Sequence, residues 1–287
     1  MAAEERTVER VFAAYQTIEG AGVRLHRAFG YEEVPLFDPF LMLDDFRAGT
    51  RPEDYLAGFP WHPHRGIETV TYMLEGKVEH GDSMGNAGTV GAGDIQWMTA
   101  GSGIIHQEMP KPVGGRMGGF QLWVNLPRAE KMMDPRYQEV KHRSVPVARP
   151  QEGTEVRVIC GSAGGIRGPV ENIVADPEYL DISLGPGAAY THPVRPGYTA
   201  AAYSIGGEGT FGPGRPEPVR NRDMVLFSDG DRVTARASGG GFRFLLFSGR
   251  KFREPVAWRG PIVMNTQEEL REAFREYGAG TFVKKAG

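Results

Sequence analysis

The chain reads as an all-β protein: two tandem small barrels of the jelly-roll type, with a single helix near the C-terminus. Three observations carry this. Forty glycines and 21 prolines among 287 residues are spread between short apolar runs rather than gathered in one tract, the texture of many strands joined by many turns. The chain also repeats itself. Gly66, Tyr72, Leu74 and Gly76 return with the same internal spacing as Gly197, Tyr203, Ile205 and Gly207, 131 residues later, and Gly118-Gly119-Phe120-Gln121-Leu122 returns as Gly240-Gly241-Phe242-Arg243-Phe244 after 122. Two copies of one β-rich unit follow, the shorter second offset reflecting shorter loops in the second copy. Third, only one segment has a helical period. Many short strands in each copy favour a closed small barrel over a sandwich built from unrelated halves.

Taken in order, Leu43 to Pro60, with Asp44, Asp45, Phe46 and Arg47, is long enough for a loop over a barrel opening. His62-Pro63-His64 follows, flanked by Phe59 and Trp61. Thr69-Val70-Thr71-Tyr72-Met73-Leu74, Asp94-Ile95-Gln96-Trp97-Met98 and Phe120-Gln121-Leu122-Trp123-Val124 are strand-length, β-branched or aromatic, and bounded by Gly or Pro. Pro127, Pro135, Pro146 and Pro150 punctuate a charged stretch up to Thr154. We place the domain boundary there, giving residues 1–138 as the first barrel and 139–287 as the second, terminal helix included. Cys160, the only cysteine, follows Val158 and Ile159 and reads as a buried thiol. The glycine clusters Gly161 to Gly165 and Gly239 to Gly241 lack the Lys-Ser/Thr ending of a phosphate-cradling loop and read as turns. Thr266 and Glu269 form a capping box, Leu270, Phe274 and Tyr277 make the apolar stripe, and Gly278 ends the helix.

The chemistry concentrates in the first copy. Successive strand side chains alternate faces, so His62 and His64 share one face of a strand, and His106 and Glu108 share one face of another. Two such pairs meeting inside a barrel make a four-ligand pocket. Three imidazoles and a carboxylate suit one divalent transition metal, Fe(II), Ni, Mn, Cu or Zn, whereas Ca and Mg prefer oxygen cages. Glu68 falls on the alternation of His64 and reads as a further ligand, a solvated strand residue or, the reading we favour, an acceptor whose hydrogen bond orients an imidazole. Phe59, Trp61, Trp97 and Met98 are expected to line a pocket for a flat organic substrate. His26, His80, His142 and His192 lie outside the pairs and read as surface or hydrogen-bonding residues. At the repeat offset His62 and His64 become Pro193 and Arg195, and His106 and Glu108 map near Val233 and Ala235. The second copy keeps the scaffold without the ligands. Because an imidazole binds metal only when neutral, retention should fall as pH drops below roughly 6.5.

A formal charge of -3 gives no basic field for counterion release, so direct nucleic-acid binding is not expected. No run of eighteen apolar residues occurs, and the first ten residues lack the apolar stretch of a secretory signal. The expectation is a cytoplasmic monomer with no membrane contact.

Four stretches bear a wider likeness. His-Pro-His-Arg-Gly-Ile-Glu-Thr-Val-Thr-Tyr-Met-Leu-Glu-Gly, from His62 to Gly76, is similar to the first motif of the pirins; Gly93 to Gly101, leading to His106-Gln107-Glu108-Met109-Pro110, is similar to the second. Gln121 to Pro127 and Gly260-Pro261-Ile262-Val263-Met264-Asn265-Thr266 complete the set. Over nearly its whole length the chain resembles the pirin family of the cupin superfamily. Gly101 stands where broader cupins carry proline, and Glu108 replaces their later ligand arrangement, so the likeness is to pirins specifically. It implies a bicupin whose N-terminal barrel holds one iron through His62, His64, His106 and Glu108, with a metal-free C-terminal barrel. It further implies a quercetin 2,3-dioxygenase, opening a flavonol heterocycle with O2 and releasing carbon monoxide, with Glu108 as the catalytic residue taking the 3-hydroxyl proton. The rival implication is an iron-binding redox sensor or co-regulator acting through protein partners, although no nuclear import cluster is present. A Zn or Mn isomerase on the same scaffold is the third.

Overall fold

A computed structural model describes residues 4–47, 52–111, 116–213 and 217–284. The all-β expectation holds: among the described residues strands dominate, and a single α-helix follows the last strand. The chain forms two compact units, one of residues 1–14, 37–39 and 143–251, the other of residues 15–36, 40–142 and 252–287. The expected division at 138/139 therefore needs correction at both ends. The first strand, β1 (Val8–Ala13), pairs antiparallel with Asp223–Phe227 and belongs to the later barrel. The terminal helix belongs to the earlier one. Strand pairing and apolar contacts, which are not written into linear order, decide both assignments.

The earlier barrel contains two sheets. The larger has seven strands in the order Arg136–Val140 (β12), Ile95–Thr99 (β9), Ile67–Glu75 (β6), Gly118–Asn125 (β11), Phe40–Asp45 (β4), Val23–Phe29 (β3) and Tyr15–Glu19 (β2). The smaller has four, Phe59–His64 (β5), Ile104–Lys111 (β10), Lys77–Asp82 (β7) and Ala87–Gly91 (β8). Leu25, Phe46, Tyr55, Met73, Val78, Val90 and Met117 pack between them. The strand reading of residues 69–74, 94–98 and 120–124 is borne out within two residues at each end.

The later barrel is built on a nine-stranded sheet whose longest strand, Arg232–Arg250, pairs at one end with Ala189–Pro193 and at the other with Glu178–Leu184. Phe211, Phe242, Phe244 and Leu246 fill its core together with Val233 and Ala235, the positions aligned with His106 and Glu108. Cys160 is buried as expected, its thiol donating to the carbonyls of Val170 and Pro177, both at 3.3 Å. Gly164-Gly165 makes the hairpin turn between Ser162–Ala163 and Ile166–Arg167. The cluster at Gly239 to Gly241 is not a turn. It lies inside the long strand, where Gly241 at φ +81 lets the backbone bend between its two pairing partners.

The helix, α1 (Gln267–Gly278), has the expected capping box: Glu269 N–H donates to Thr266 Oγ1 at 3.1 Å, and Thr266 N–H to the Glu269 carboxylate at 2.9 Å. Leu270 and Ala273 are its buried residues, while Tyr277 is 39% exposed. The helix runs through Gly278 to a cap at Ala279. It packs on Ala257, Ile262, Met264 and Phe282, with Ile105 beside them. Ile262–Met264 in turn lies against the residues that follow His64, where Val263 N–H donates to Arg65 O at 3.1 Å.

Gly66 makes that close approach possible. Its φ is +77, and a Cβ there would lie 2.0 Å from the Val263 carbonyl oxygen. Gly66→Ala combines a left-handed residue with a backbone clash and is expected to cost about 2–4 kcal/mol, read as a lowered midpoint in chemical denaturation. A variant of unchanged midpoint would mean that the C-terminal segment does not press on this turn.

Candidate metal centre

The smaller sheet places the histidines. On β5 and β10, His62 stands directly opposite His106, and His64 opposite Ile104. Opposed residues of an antiparallel pair share a face, so His62, His64 and His106 all point to one spot. Their ring centroids lie 4.4 to 5.1 Å apart. The Nε2 of His62 is 3.1 Å from that of His64 and 3.0 Å from that of His106. Among the described residues these three form the group able to hold a metal ion.

The hydrogen bonds show why a cation fits. His62 Nδ1 is 2.8 Å from the Pro60 carbonyl oxygen, and His64 Nδ1 is 3.0 Å from that of Pro261. A carbonyl only accepts, so both Nδ1 atoms carry the proton and both Nε2 atoms present lone pairs when the rings are neutral. Neutral they are at physiological pH. Burial lowers the pKa of His62, and drives His64 and His106 well below the ordinary value, with neighbouring rings adding to it. Two lone pairs facing each other at 3.1 Å repel, and a shared metal ion removes the conflict. Because a lowered pKa keeps the ring neutral to lower pH, protons compete with metal only in that lower range. Metal content after dialysis at descending pH should therefore persist below 6.5, the unperturbed value in His64 and His106; half-loss at or above it would contradict this.

Glu108 is placed differently from the expectation of a fourth convergent atom. A register shift lies between His106 and Glu108, so Glu108 stands opposite Phe59 rather than two residues before His62. It lines the same cavity as His62 and His64, accepts a hydrogen bond from Thr71 Oγ1 at 3.1 Å, and burial pushes its carboxyl up to about 7. Its oxygens lie outside the three-imidazole group. Glu68 does not orient an imidazole. Gly66 breaks the alternation between it and His64, and its carboxylate accepts from Thr99 Oγ1 at 2.7 Å. Backbone carbonyls of Pro60 and Pro261 do the orienting instead.

His62 and His64 line a cavity of about 660 Å3 between the two sheets, within the range of small-molecule sites. Phe59 and Trp61 line it as expected. Trp97 and Met98 do not; each is 1% exposed and packed in the core. Their places are taken by Trp123 and Trp258, with Tyr31 at the rim against Trp258. The Leu43–Pro60 segment is not one open loop: Leu43 to Asp45 end β4, Tyr55 is buried, and residues 48–51 lie outside the described residues. Of the other histidines, His80 and His192 are buried, with Glu139 and Glu178 beside them.

Lys131 was not legible as part of this centre. It is buried, and its Nζ donates to Gly66 O, Asn125 Oδ1 and Val263 O at 2.7 to 2.9 Å. Burial lowers its pKa to about 7. The three bonds fasten the C-terminal segment, which brings Pro261 O to His64, against the turn that follows the ligand strand.

Sequence comparison agrees with this geometry. The pirin family model matches residues 22–124, and the model for the pirin C-terminal cupin domain matches residues 179–283. The chain belongs to the pirin family. A pirin-like protein of Caulobacter vibrioides is 44% identical over 96% of this chain and 99% of its own length. Pirin-like protein 2 of Arabidopsis thaliana is 43% identical over 95% of this chain and 84% of its own. The crystal structure of a quercetin 2,3-dioxygenase from Acinetobacter baumannii superposes with a TM-score of 0.89 at 30% identity, covering 97% of this chain and 98% of that one. The fold is thus the tandem cupin of the pirins, with the histidine group in the first cupin. Among the described residues no helix is long and apolar enough to cross a membrane.

Proposed function

We propose that this pirin is a metal-dependent dioxygenase acting on a flavonol such as quercetin with O2. The observation that carries the reading is the convergence of three neutral imidazoles, two of which, His62 and His64, line a cavity walled by Trp61, Trp123 and Trp258. The likeness to a quercetin 2,3-dioxygenase over the whole chain supports it. His62, His64 and His106 would hold one divalent transition metal, with Glu108 completing the set; we favour iron, a metal this ligand set suits. Bound there, the metal would supply redox and Lewis-acid chemistry toward O2 and an acidic hydroxyl.

The chain's own groups do the rest. The aromatic walls hold a flat ring system and exclude water. Glu108, buried and hydrogen-bonded by Thr71, takes the proton of the substrate hydroxyl at a carboxylate oxygen. Its raised pKa, about 7, matches a base working near neutrality. Pro60 O and Pro261 O keep the His62 and His64 imidazoles in one tautomer. The test is oxygen uptake by iron-loaded protein given quercetin. Consumption that follows metal content is expected, and none, beside an active flavonol dioxygenase in the same assay, would refute the reading.

A further inference from the structure

The larger sheet carries an unbroken row of polar side chains across its strands. Gln96 stands opposite Thr71, Thr71 opposite Gln121, Gln121 opposite Asp44, and Asp44 opposite Arg27. Directly opposed residues in antiparallel strands point to the same face. Four of these, Thr71, Gln121, Asp44 and Arg27, line the cavity, among apolar neighbours such as Leu25, Met42 and Phe46. Strands lie about 4.8 Å apart, so three steps from Thr71 to Arg27 cover about 14 Å.

The two ends of the row differ. At one, Thr71 Oγ1 is within hydrogen-bond distance of both Glu108, at 3.1 Å, and Gln121, at 2.7 Å, which ties the row to the metal centre. At the other, Arg27 donates twice to Asp44 at 2.8 Å and reaches Glu19 at 2.9 Å. Glu19 also lines the cavity. One guanidinium between two carboxylates leaves this end net negative. Each Asp44 oxygen accepts one bond from Arg27 and keeps a further lone-pair site.

We propose that this row is a recognition stripe for an elongated polyhydroxylated aromatic, whose distal ring donates a hydroxyl to the Asp44 carboxylate. The proposal rests on the dioxygenase reading only in placing the reacting ring at the histidines. A hydroxyl donor is accepted at the far end, and an anionic substituent is repelled there. The stripe therefore selects by distal substituent, whatever the chemistry at the metal.

The test is binding to metal-loaded protein under anaerobic conditions, read by quenching of tryptophan emission, since Trp61, Trp123 and Trp258 line the cavity. Three probes serve: quercetin, 3-hydroxyflavone, which keeps the reacting ring and lacks the other hydroxyls, and quercetin sulfated on its distal ring. Quercetin should bind about ten-fold or more tighter than 3-hydroxyflavone, the effect of one hydrogen bond to a charged group, and the sulfated form should bind weakest. Asp44→Asn should narrow the first ratio. Glu19→Gln, at the half-exposed end, should admit the sulfated form while leaving the first ratio in place, and it serves if Asp44→Asn does not fold. Equal binding of quercetin and 3-hydroxyflavone to the wild-type protein would overturn the stripe and leave the dioxygenase reading standing. Binding of neither, with no oxygen uptake, would overturn both.

Discussion

Replacing His106 by alanine is expected to weaken metal binding by at least about a hundred-fold, since changes in residues that merely support a ligand already cost ten- to a hundred-fold. His106 supplies the Nε2 that β10 contributes to the group, 3.0 Å from that of His62. The fold should survive. Its Nδ1 has no hydrogen-bond partner among the described residues, so the substitution leaves no orphaned partner at that atom and removes only buried volume, costing about 2–4 kcal/mol. Chelation separates the two effects. A metal present at a hundred times its dissociation constant stabilises the folded state by about 2.7 kcal/mol. Stripping it should lower the unfolding midpoint of the wild-type protein and leave that of His106→Ala where it was. Complete unfolding of the variant at ambient temperature would mean that the metal builds the barrel.

Glu108→Gln should reduce turnover by about a hundred- to ten-thousand-fold, the usual contribution of a positioned base, while the protein still binds substrate. The amide keeps the shape and can still accept from Thr71, but it cannot take a proton. The pH profile gives the sharper signature. A carboxyl must be ionised to act as base, so wild-type activity is lost as pH falls through its pKa. That pKa is about 7 before a cation is bound and lower beside one. The variant should lose this acid limb. Residual activity with the wild-type limb intact would move the base elsewhere.

Much of this was legible because strand alternation and register are local rules. His62 with His64, and His106 on a second strand, could be read as same-face pairs from spacing alone. The repeat exposed two barrels, since turn glycines such as Gly66 and Gly197 share the same left-handed backbone. The register of Glu108 was not legible, because the irregularity in β5 between Phe59 and His62 shifts its partner, and an irregular residue has no period to betray it. The aromatic wall was misassigned for a similar reason. Trp97 and Trp123 both sit in apolar strands, and only the pairing partners decide which one faces the cavity. Lys131, Trp258 and Pro261 were missed outright. Trp258 and Pro261 reach the centre through a C-terminal segment that returns to the earlier barrel, where Lys131 fastens it, and a return of that kind is set by packing of Ile262, Met264 and Leu270 on Ala257 and Phe282.

The polar row shows the same limit from the other side. Thr71, Gln121, Asp44 and Arg27 are far apart in sequence and unremarkable one by one. Only the order of β6, β11, β4 and β3 makes them neighbours. A polar residue in a strand that reads as core is therefore informative once its cross-strand partners are known, because buried polar groups need partners or a ligand.

The measurement that bears most directly on the central claim is an anomalous difference map at the iron absorption edge, from crystals of iron-loaded protein. A single strong peak about 2.0–2.2 Å from the Nε2 atoms of His62, His64 and His106 is the expected result. No peak there, or one held by other residues, would contradict the account.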